Sequence, residues 1–225
     1  FENIPTHITV KNVIHLAAKS LVEKKISDLK NYKINNILKL DIFLKKINNL
    51  ECKKFIFISS AAIYKESNKK ISENSSIKPK SYYGKSKFYG EKLIKKYSKK
   101  SKTQFTVLRL FNILSGKMLN TKNTSVLSLW RDKIKRRGKI IIHDEGNCVR
   151  DFVDIGYFNK IIYKISINQK KYKLNIFNLG TGKKIKIKEM LEEVKKIKKR
   201  IKIKFEKLPI NAIKNSICDN KKIIR

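Results

Sequence analysis

Three short apolar runs constrain the fold of this chain. They are Val13-Ile14-His15-Leu16-Ala17-Ala18, Phe55-Ile56-Phe57-Ile58 and Thr106-Val107-Leu108-Arg109-Leu110-Phe111. Each has strand length, and the first two are apolar without alternation, the pattern of strands buried on both faces. Between the first two, Ile34, Ile37, Leu38, Phe43, Leu44 and Ile47 recur at helical period. Between the second and third, a polar loop from Lys65 to Lys80 leads to another helical pattern, with Leu93 and Ile94 on its apolar side. Strand, helix, strand, helix, strand at this spacing predicts parallel α/β crossovers.

After Asn112 the texture changes. A polar loop (Ser115 to Asn123) precedes an amphipathic helix near Val126 to Arg136, and Lys139-Ile140-Ile141-Ile142 reads as a strand. Arg150-Asp151-Phe152-Val153-Asp154 opens a further element, with a helix from Gly156 to Ile165. Asn175-Ile176-Phe177-Asn178-Leu179 reads as a strand, followed by a turn at Gly180-Thr181-Gly182. A helix over Ile187 to Lys199 carries its acids early and its lysines late, the order the helix dipole favours. Ile201 to Phe205 alternates like an edge strand.

Chemistry enters at Tyr83-Gly84-Lys85-Ser86-Lys87. Side chains four apart on a helix share one face. An ammonium beside a phenol favours the phenolate, so Lys87 would lower the pKa of Tyr83 and make it a proton acceptor near neutral pH. On spacing alone the plainer reading is a solvated helix face, in a chain this rich in lysine.

That richness bears on partners. The formal net charge is +37, but only seven of the 55 basic residues are Arg. Lys, Asn and Ile are abundant throughout, as an AT-rich coding sequence would produce. Nucleic-acid readers use Arg for bidentate contacts and interleave aromatics with basic residues. Neither pattern is present, so nucleic acid is not the expected partner. No apolar run approaches the ~20 residues of a membrane span, so no membrane is expected either. Cys52, Cys148 and Cys218 are odd in number and far apart, which fits a reducing, cytoplasmic setting and neither a disulfide framework nor a metal site.

Six segments, in order, resemble the extended short-chain dehydrogenase/reductase family, the NAD-dependent epimerase/dehydratases of nucleotide sugars. They are Val13 to Ala18, Ser59-Ser60-Ala61-Ala62-Ile63-Tyr64, Tyr83 to Lys87, Leu108-Arg109-Leu110-Phe111-Asn112, Arg150-Asp151-Phe152-Val153, and Phe177-Asn178-Leu179-Gly180-Thr181-Gly182. Cys218-Asp219 adds a weaker match. Within the family, Ala17-Ala18-Lys19-Ser20-Leu21-Val22-Glu23 and Tyr32 to Asn36 are most similar to UDP-glucose 4-epimerases.

The resemblance implies an α/β fold, an incomplete Rossmann-type doubly wound parallel sheet with a smaller α/β substrate domain. Residues 1–112 would be the C-terminal part of the NAD-binding domain, joined by 150–155 and 175–182, with 113–149 and 183–225 binding substrate. It implies NAD as cofactor, a nucleotide sugar as substrate and a homodimer. Tyr83 would take the proton from the sugar 4-hydroxyl as C4 is transiently oxidised, with Ser60 on the same oxygen. Lys87 would bind the nicotinamide ribose and hold Tyr83 at low pKa. Ala17 and Ala18 would admit the cofactor close to the backbone, Asn35 or Asn36 would be the structural or site-lining Asn, and Asn112 and Arg150 would hold the diphosphate.

Plainer readings stand beside these. Ser60 is also a strand-ending Ser, Asn112 a turn residue, and Arg150 a candidate ion pair with Asp151 or Asp154. His15 reads as a satisfied core histidine. Gly180-Thr181-Gly182-Lys183 lacks the remaining spacing of a phosphate loop.

The resemblance has departures. The family's glycine-rich fingerprint precedes the Val13–Ala18 strand and does not occur in these residues, so the chain is expected to be a fragment lacking its first βαβ unit and binding NAD weakly. Gly156-Tyr157 replaces the usual acidic pair, and the end at Arg225 is expected to cut the substrate domain short. Ala61 and Ala62 occupy positions where dehydratases carry an acid, which favours a 4-epimerase or a nucleotide-4-ketosugar reductase. A basic binding module that kept the fold without catalysis is the reading from a different class.

Overall fold

The computed structural model describes residues 10–20, 27–50, 52–114, 126–198 and 200–224. The polar loop expected at Ser115–Asn123 and the Leu21-Val22-Glu23 segment lie outside them. In chain order the elements are β1 (Asn12–His15), α1 (Ser27–Tyr32), a π-helical turn (Lys33–Leu38), α2 (Lys39–Asn49), β2 (Lys54–Ser60), a 3-10 turn (Ala61–Ile63), α3 (Tyr82–Lys100) and β3 (Gln104–Leu110). Then come β4 (Asn112–Leu114), α4 (Val126–Lys135), β5 (Ile140–His143), β6 (Val149–Arg150), β7 (Phe152–Asp154), α5 (Ile155–Ile167) and β8 (Leu174–Leu179). The chain continues through β9 (Ile185–Lys186), α6 (Ile187–Ile197), β10 (Ile203–Glu206), β11 (Asn215–Ser216) and α7 (Lys221–Ile224).

The main sheet has the order β1-β2-β3-β8 with every pairing parallel. This is the α/β arrangement that the run of strands and helices predicts. One face presents Phe55 and Phe57 of β2 with Phe105 and Val107 of β3, packed against Leu40, Leu44 and Ile94 of α2 and α3. The other presents Ile56, Ile58 and Leu108 against Phe158, Ile161 and Ile162 of α5. Period-two alternation in β2 and β3 thus feeds two different cores, which is why those strands read as continuous apolar runs.

β1 departs from the sequence reading. It spans four residues, not six, and Ile14 and Leu16 are 41% and 59% exposed. Among the described residues β1 has a neighbour on one side only, β2, and only its His15 side meets an apolar layer. His15 is buried among the rings of Phe43, Phe55 and Phe57, with centroids 5.8–5.9 Å away. It is a core histidine, as read, but not a satisfied one: Nδ1 has no hydrogen-bond partner among the described residues.

A third apolar cluster gathers Trp130 of α4, Ile140 and Ile142 of β5, and Leu191 of α6. Here β5 pairs in parallel with β10. Short pairs, β4 with β7 and β6 with β9 and β11, connect this region to the main sheet. Between β6 and β7, Asp151 is fully buried, and its carboxylate accepts from Thr181 N (2.8 Å), Thr181 Oγ1 (2.7 Å), Gly182 N (2.8 Å) and Cys218 N (3.1 Å). One side chain therefore ties the turn after β8 to the segment after β11. No helix among the described residues is long and apolar enough to cross a membrane.

Burial, reinforced by the positive charge of Lys87, pushes the His15 imidazole down to about 4. The unfolded chain takes up that proton near 6.5, so the unfolded state binds more protons as pH falls from 6.5 to about 4, and stability is lost across that window. We expect His15→Leu to lose less stability over this interval in urea titrations, the difference reaching up to about 3 kcal/mol.

Candidate active site

The C-terminal end of β2 and the first turn of α3 build the site. Ser60 ends β2, and its Oγ accepts from Ala62 N (3.2 Å), starting the 3-10 turn. Ser81 caps α3, its Oγ accepting from Gly84 N at 3.0 Å, which satisfies one of the free amides of the first turn. Tyr83 therefore sits in that first turn with Lys87 one turn on. The Lys87 ammonium lies 5.9 Å from the Tyr83 ring centroid, so the expected shared face is present.

Gly84 allows the approach. A Cβ there would lie 2.3 Å from the Ala62 carbonyl oxygen and 3.1 Å from Pro79 Cβ. The helix thus rests directly on the turn that follows Ser60. Ser60 and Tyr83 come within hydrogen-bonding reach as a result.

Ser60, Tyr83, Asn112 and Arg150 line one cavity of about 600 Å³, together with Ser20, Ala61 and Ala62. Four residues from four separated segments are thus brought to one cavity. No carboxylate lines this cavity among the described residues. Its far wall is apolar, with Phe111, Ile187 and Leu208 contributing.

Electrostatics correct one expectation. Lys87 was expected to hold Tyr83 at low pKa. Instead, burial pushes the Tyr83 phenol up, outweighing the Ser60 hydrogen bond, and Tyr32 adds to the rise. Lys87 is itself pushed down to about 8 by burial, against the opposing pull of Glu91. The reason is geometric. The ammonium sits over the face of the ring and donates to the Ile58 carbonyl at 2.7 Å, while both groups have left the water that would favour their charged forms.

Asn35 and Asn36 have different surroundings. Asn35 bonds locally to Asn31 O and Lys39 Nζ on the exposed side. Asn36 is buried, accepts from Lys19 N (2.7 Å), and donates to Lys19 O (3.0 Å) and Ser86 Oγ (2.9 Å). Ser86 Oγ donates in turn to Tyr83 O at 2.8 Å. Asn36 lies in the π-helical turn, a widened turn often found at functional positions. It fastens the loop carrying Ala17 and Ala18 to the helix carrying Tyr83 and Lys87. Ala17 is exposed and Ala18 half-buried, and neither lines the cavity.

Arg150 forms neither of the ion pairs offered as its plainer reading. Its Nη1 donates to Val149 O and Lys214 O (2.8 Å each) and its Nη2 to Ile213 O (2.6 Å). Asp151 is engaged with the turn at 181–182, and Asp154 caps α5 through Gly156 N at 2.7 Å. Asn112 Nδ2 donates to Asp151 O at 3.1 Å.

Sequence reasoning passed over Glu91. Its carboxylate accepts from Arg109 Nη2 (2.8 Å), Arg109 Nε (3.1 Å) and Ser59 Oγ (2.6 Å). Arg109 Nη1 also donates to Tyr64 Oη at 2.7 Å, and Tyr64 Oη to Asn178 Oδ1 at 2.7 Å. The signal was available: an Arg inside an apolar strand run requires a partner.

With this geometry in place, comparison with known proteins is informative. Residues 2–180 match the NAD-dependent epimerase/dehydratase family. The chain belongs to that family. A Methanocaldococcus jannaschii protein provisionally named UDP-glucose 4-epimerase is 31% identical over 188 residues, covering 83% of this chain and 60% of its own length. The UDP-glucose 4-epimerase of Lactobacillus helveticus is 28% identical over 200 residues, covering 82% and 61%. Among solved structures, a UDP-glucuronic acid 4-epimerase from Bacillus cereus, in complex with UDP-glucuronic acid and NAD, superposes with TM-score 0.86 at 23% identity, over 95% of this chain and 68% of that one. The last likeness is one of fold. The chain spans about 60% of the length of the curated relatives.

Lys87 lies buried beneath the cavity rather than on its lining. The Lys87 ammonium has three N–H groups and directs one to Ile58 O, leaving donors for a polar ligand.

An alanine at 84 would gain about 1 kcal/mol of helix propensity, but its Cβ meets a backbone carbonyl with little freedom to move. We expect Gly84→Ala to be net destabilising by ~1–3 kcal/mol, read as a lowered urea midpoint; a raised midpoint would show that the helix is not seated on this turn.

Proposed function

We propose that this chain is the core of an NAD-dependent nucleotide-sugar 4-epimerase acting on a UDP-hexose. The observation that carries the reading is the cavity wall. Ser60 and Tyr83 stand together on it, followed by Ala61 and Ala62, with no carboxylate beside them among the described residues. Proton transfer at a sugar hydroxyl is therefore served, whereas expelling a hydroxyl as water needs an acid that these positions lack.

Tyr83 exchanges the proton of the sugar 4-hydroxyl, and Ser60 hydrogen-bonds the same oxygen. A phenol raised by burial is poised to return its proton, and a bound charge or dipole is then needed to draw it off. Lys87 holds the nicotinamide ribose. Asn36 keeps the Ala17–Ala18 loop where the cofactor passes close to the backbone. NAD, when bound, supplies reversible two-electron oxidation at the sugar C4. Arg150 and Asn112 face the diphosphate, Arg150 through the guanidinium hydrogens not engaged by Val149, Ile213 and Lys214. In this reading the β1-β2-β3-β8 layer carries the cofactor, and the region of α4, β5, α6 and β10 carries the sugar nucleotide. The exposed Leu38 and Ile42, one turn apart on adjoining helical segments, offer a second copy an apolar contact.

Incubating the protein, expressed over its full length, with UDP-galactose should yield UDP-glucose with no net change in NADH. Consumption of NADH with a 4-keto substrate would instead make it a reductase. Tyr83→Phe should lower turnover by at least about 100-fold while leaving UDP-glucose binding intact, and retained turnover would refute the assignment.

A further inference from the structure

Three charges are buried together beneath the site. Lys87, Glu91 and Arg109 are 3%, 7% and 4% exposed. Glu91 follows Lys87 by one helical turn on α3, so the two side chains leave the helix on the same side. Arg109 reaches Glu91 from β3 with two nitrogens, at 2.8 and 3.1 Å. The other buried acid described, Asp151, is occupied by Thr181, Gly182 and Cys218. Arg109 is therefore ion-paired with the one carboxylate whose charge also acts on Lys87, one helical turn away.

The sheet register explains the meeting. Ser59 stands opposite Arg109, and Arg109 opposite Asn178, across three adjacent strands. Ser59 adds a hydrogen bond to Glu91 at 2.6 Å, and Ser59 is the residue before Ser60. The carboxylate thus touches the strand that ends in the site and lies one turn from the lysine that serves it.

We propose that Glu91 is a positioning residue for the reaction: its carboxylate keeps Lys87 protonated in a place screened from water, and Arg109, by claiming the same carboxylate, weakens that hold. The inference rests on Lys87 serving the site as described above. The groups that face Lys87 are Tyr83 and Glu91 from α3, His15 from β1 and the Ile58 carbonyl from β2. Arg109 acts through Glu91, and Tyr32 of α1 through Tyr83. Of these, only Glu91 is a carboxylate. Burial alone drives Lys87 toward its neutral form, and Glu91 opposes it.

The two partners of Glu91 give the idea opposite signs. Glu91→Gln keeps the size and the hydrogen-bonding of the side chain but leaves two buried cations facing each other. Arg109→Gln leaves the carboxylate to Lys87 alone. A purely structural network would be loosened by either change and would not reverse the effect on Lys87.

The experiment is a pH titration of the protein carrying 13C at the lysine ε-carbons, with the Lys87 signal assigned by its loss in Lys87→Met. The midpoint should fall by about one pH unit or more in Glu91→Gln and rise in Arg109→Gln. Each variant carries its own sign, so either one, folded by circular dichroism, decides the matter. A midpoint that does not fall in the first, or does not rise in the second, overturns the proposal. The titration needs neither substrate nor cofactor. Wild-type protein without epimerase turnover but with both shifts counts against the functional reading alone; turnover without the shifts counts against this inference alone.

Discussion

Helix α3 lies on the turn that follows strand β2 closely enough that Gly84 has no room for a methyl group beneath it, and much of the site depends on that contact. It sets Tyr83 beside Ser60 and directs Lys87 to the carbonyl of Ile58. It also lets Glu91 reach Ser59 and Arg109. The same closeness recurs six residues later, where a Cβ on Gly90 would lie 2.7 Å from the Phe57 ring. Two glycines on one helix cost backbone entropy and helix propensity, about 1 kcal/mol each. What they allow is a helix–sheet distance short enough for side chains of modest length to reach the strand.

Dry packing has an electrostatic consequence. Placing Tyr83 and Lys87 side by side raises the expectation that the cation lowers the phenol, but both groups are withdrawn from water at once. Loss of hydration acts against phenolate and ammonium alike, and in this site it outweighs the Ser60 hydrogen bond at Tyr83 and the pull of Glu91 at Lys87. The buried pair of Arg109 and Glu91 follows the same logic at higher stakes. Such pairs seldom add net stability, whereas removing one member strands the other. Their value lies in fixing geometry, here the alignment of β2, β3 and α3.

Part of the arrangement could be read without a structure. β2 was legible because a strand covered on both faces is apolar throughout, β3 because its run is mostly apolar and of strand length, and α3 because Leu93 and Ile94 mark a helical apolar side. The grouping of Ser60, Tyr83, Asn112 and Arg150 around one cavity was legible only through motif order, since nothing in the spacing of residues 60, 83, 112 and 150 implies proximity. β1 was misread as buried on both faces. Its apolar composition states a preference for burial, and only the sheet order shows which side lacks a covering layer.

What the sequence determined alone is local: which segments favour strand or helix, and that Tyr83 and Lys87 share a helical face. These follow from backbone geometry over a few residues. Tertiary structure decided the rest. It buried Asn36 and left Asn35 exposed, turned Arg150 toward the carbonyls of Ile213 and Lys214, left His15 Nδ1 without a partner among the described residues, and set Glu91 against Arg109. Each of these depends on what lies across a strand or helix from the residue. Burial and the resulting loss of hydration are set by such neighbours, which are remote in the chain.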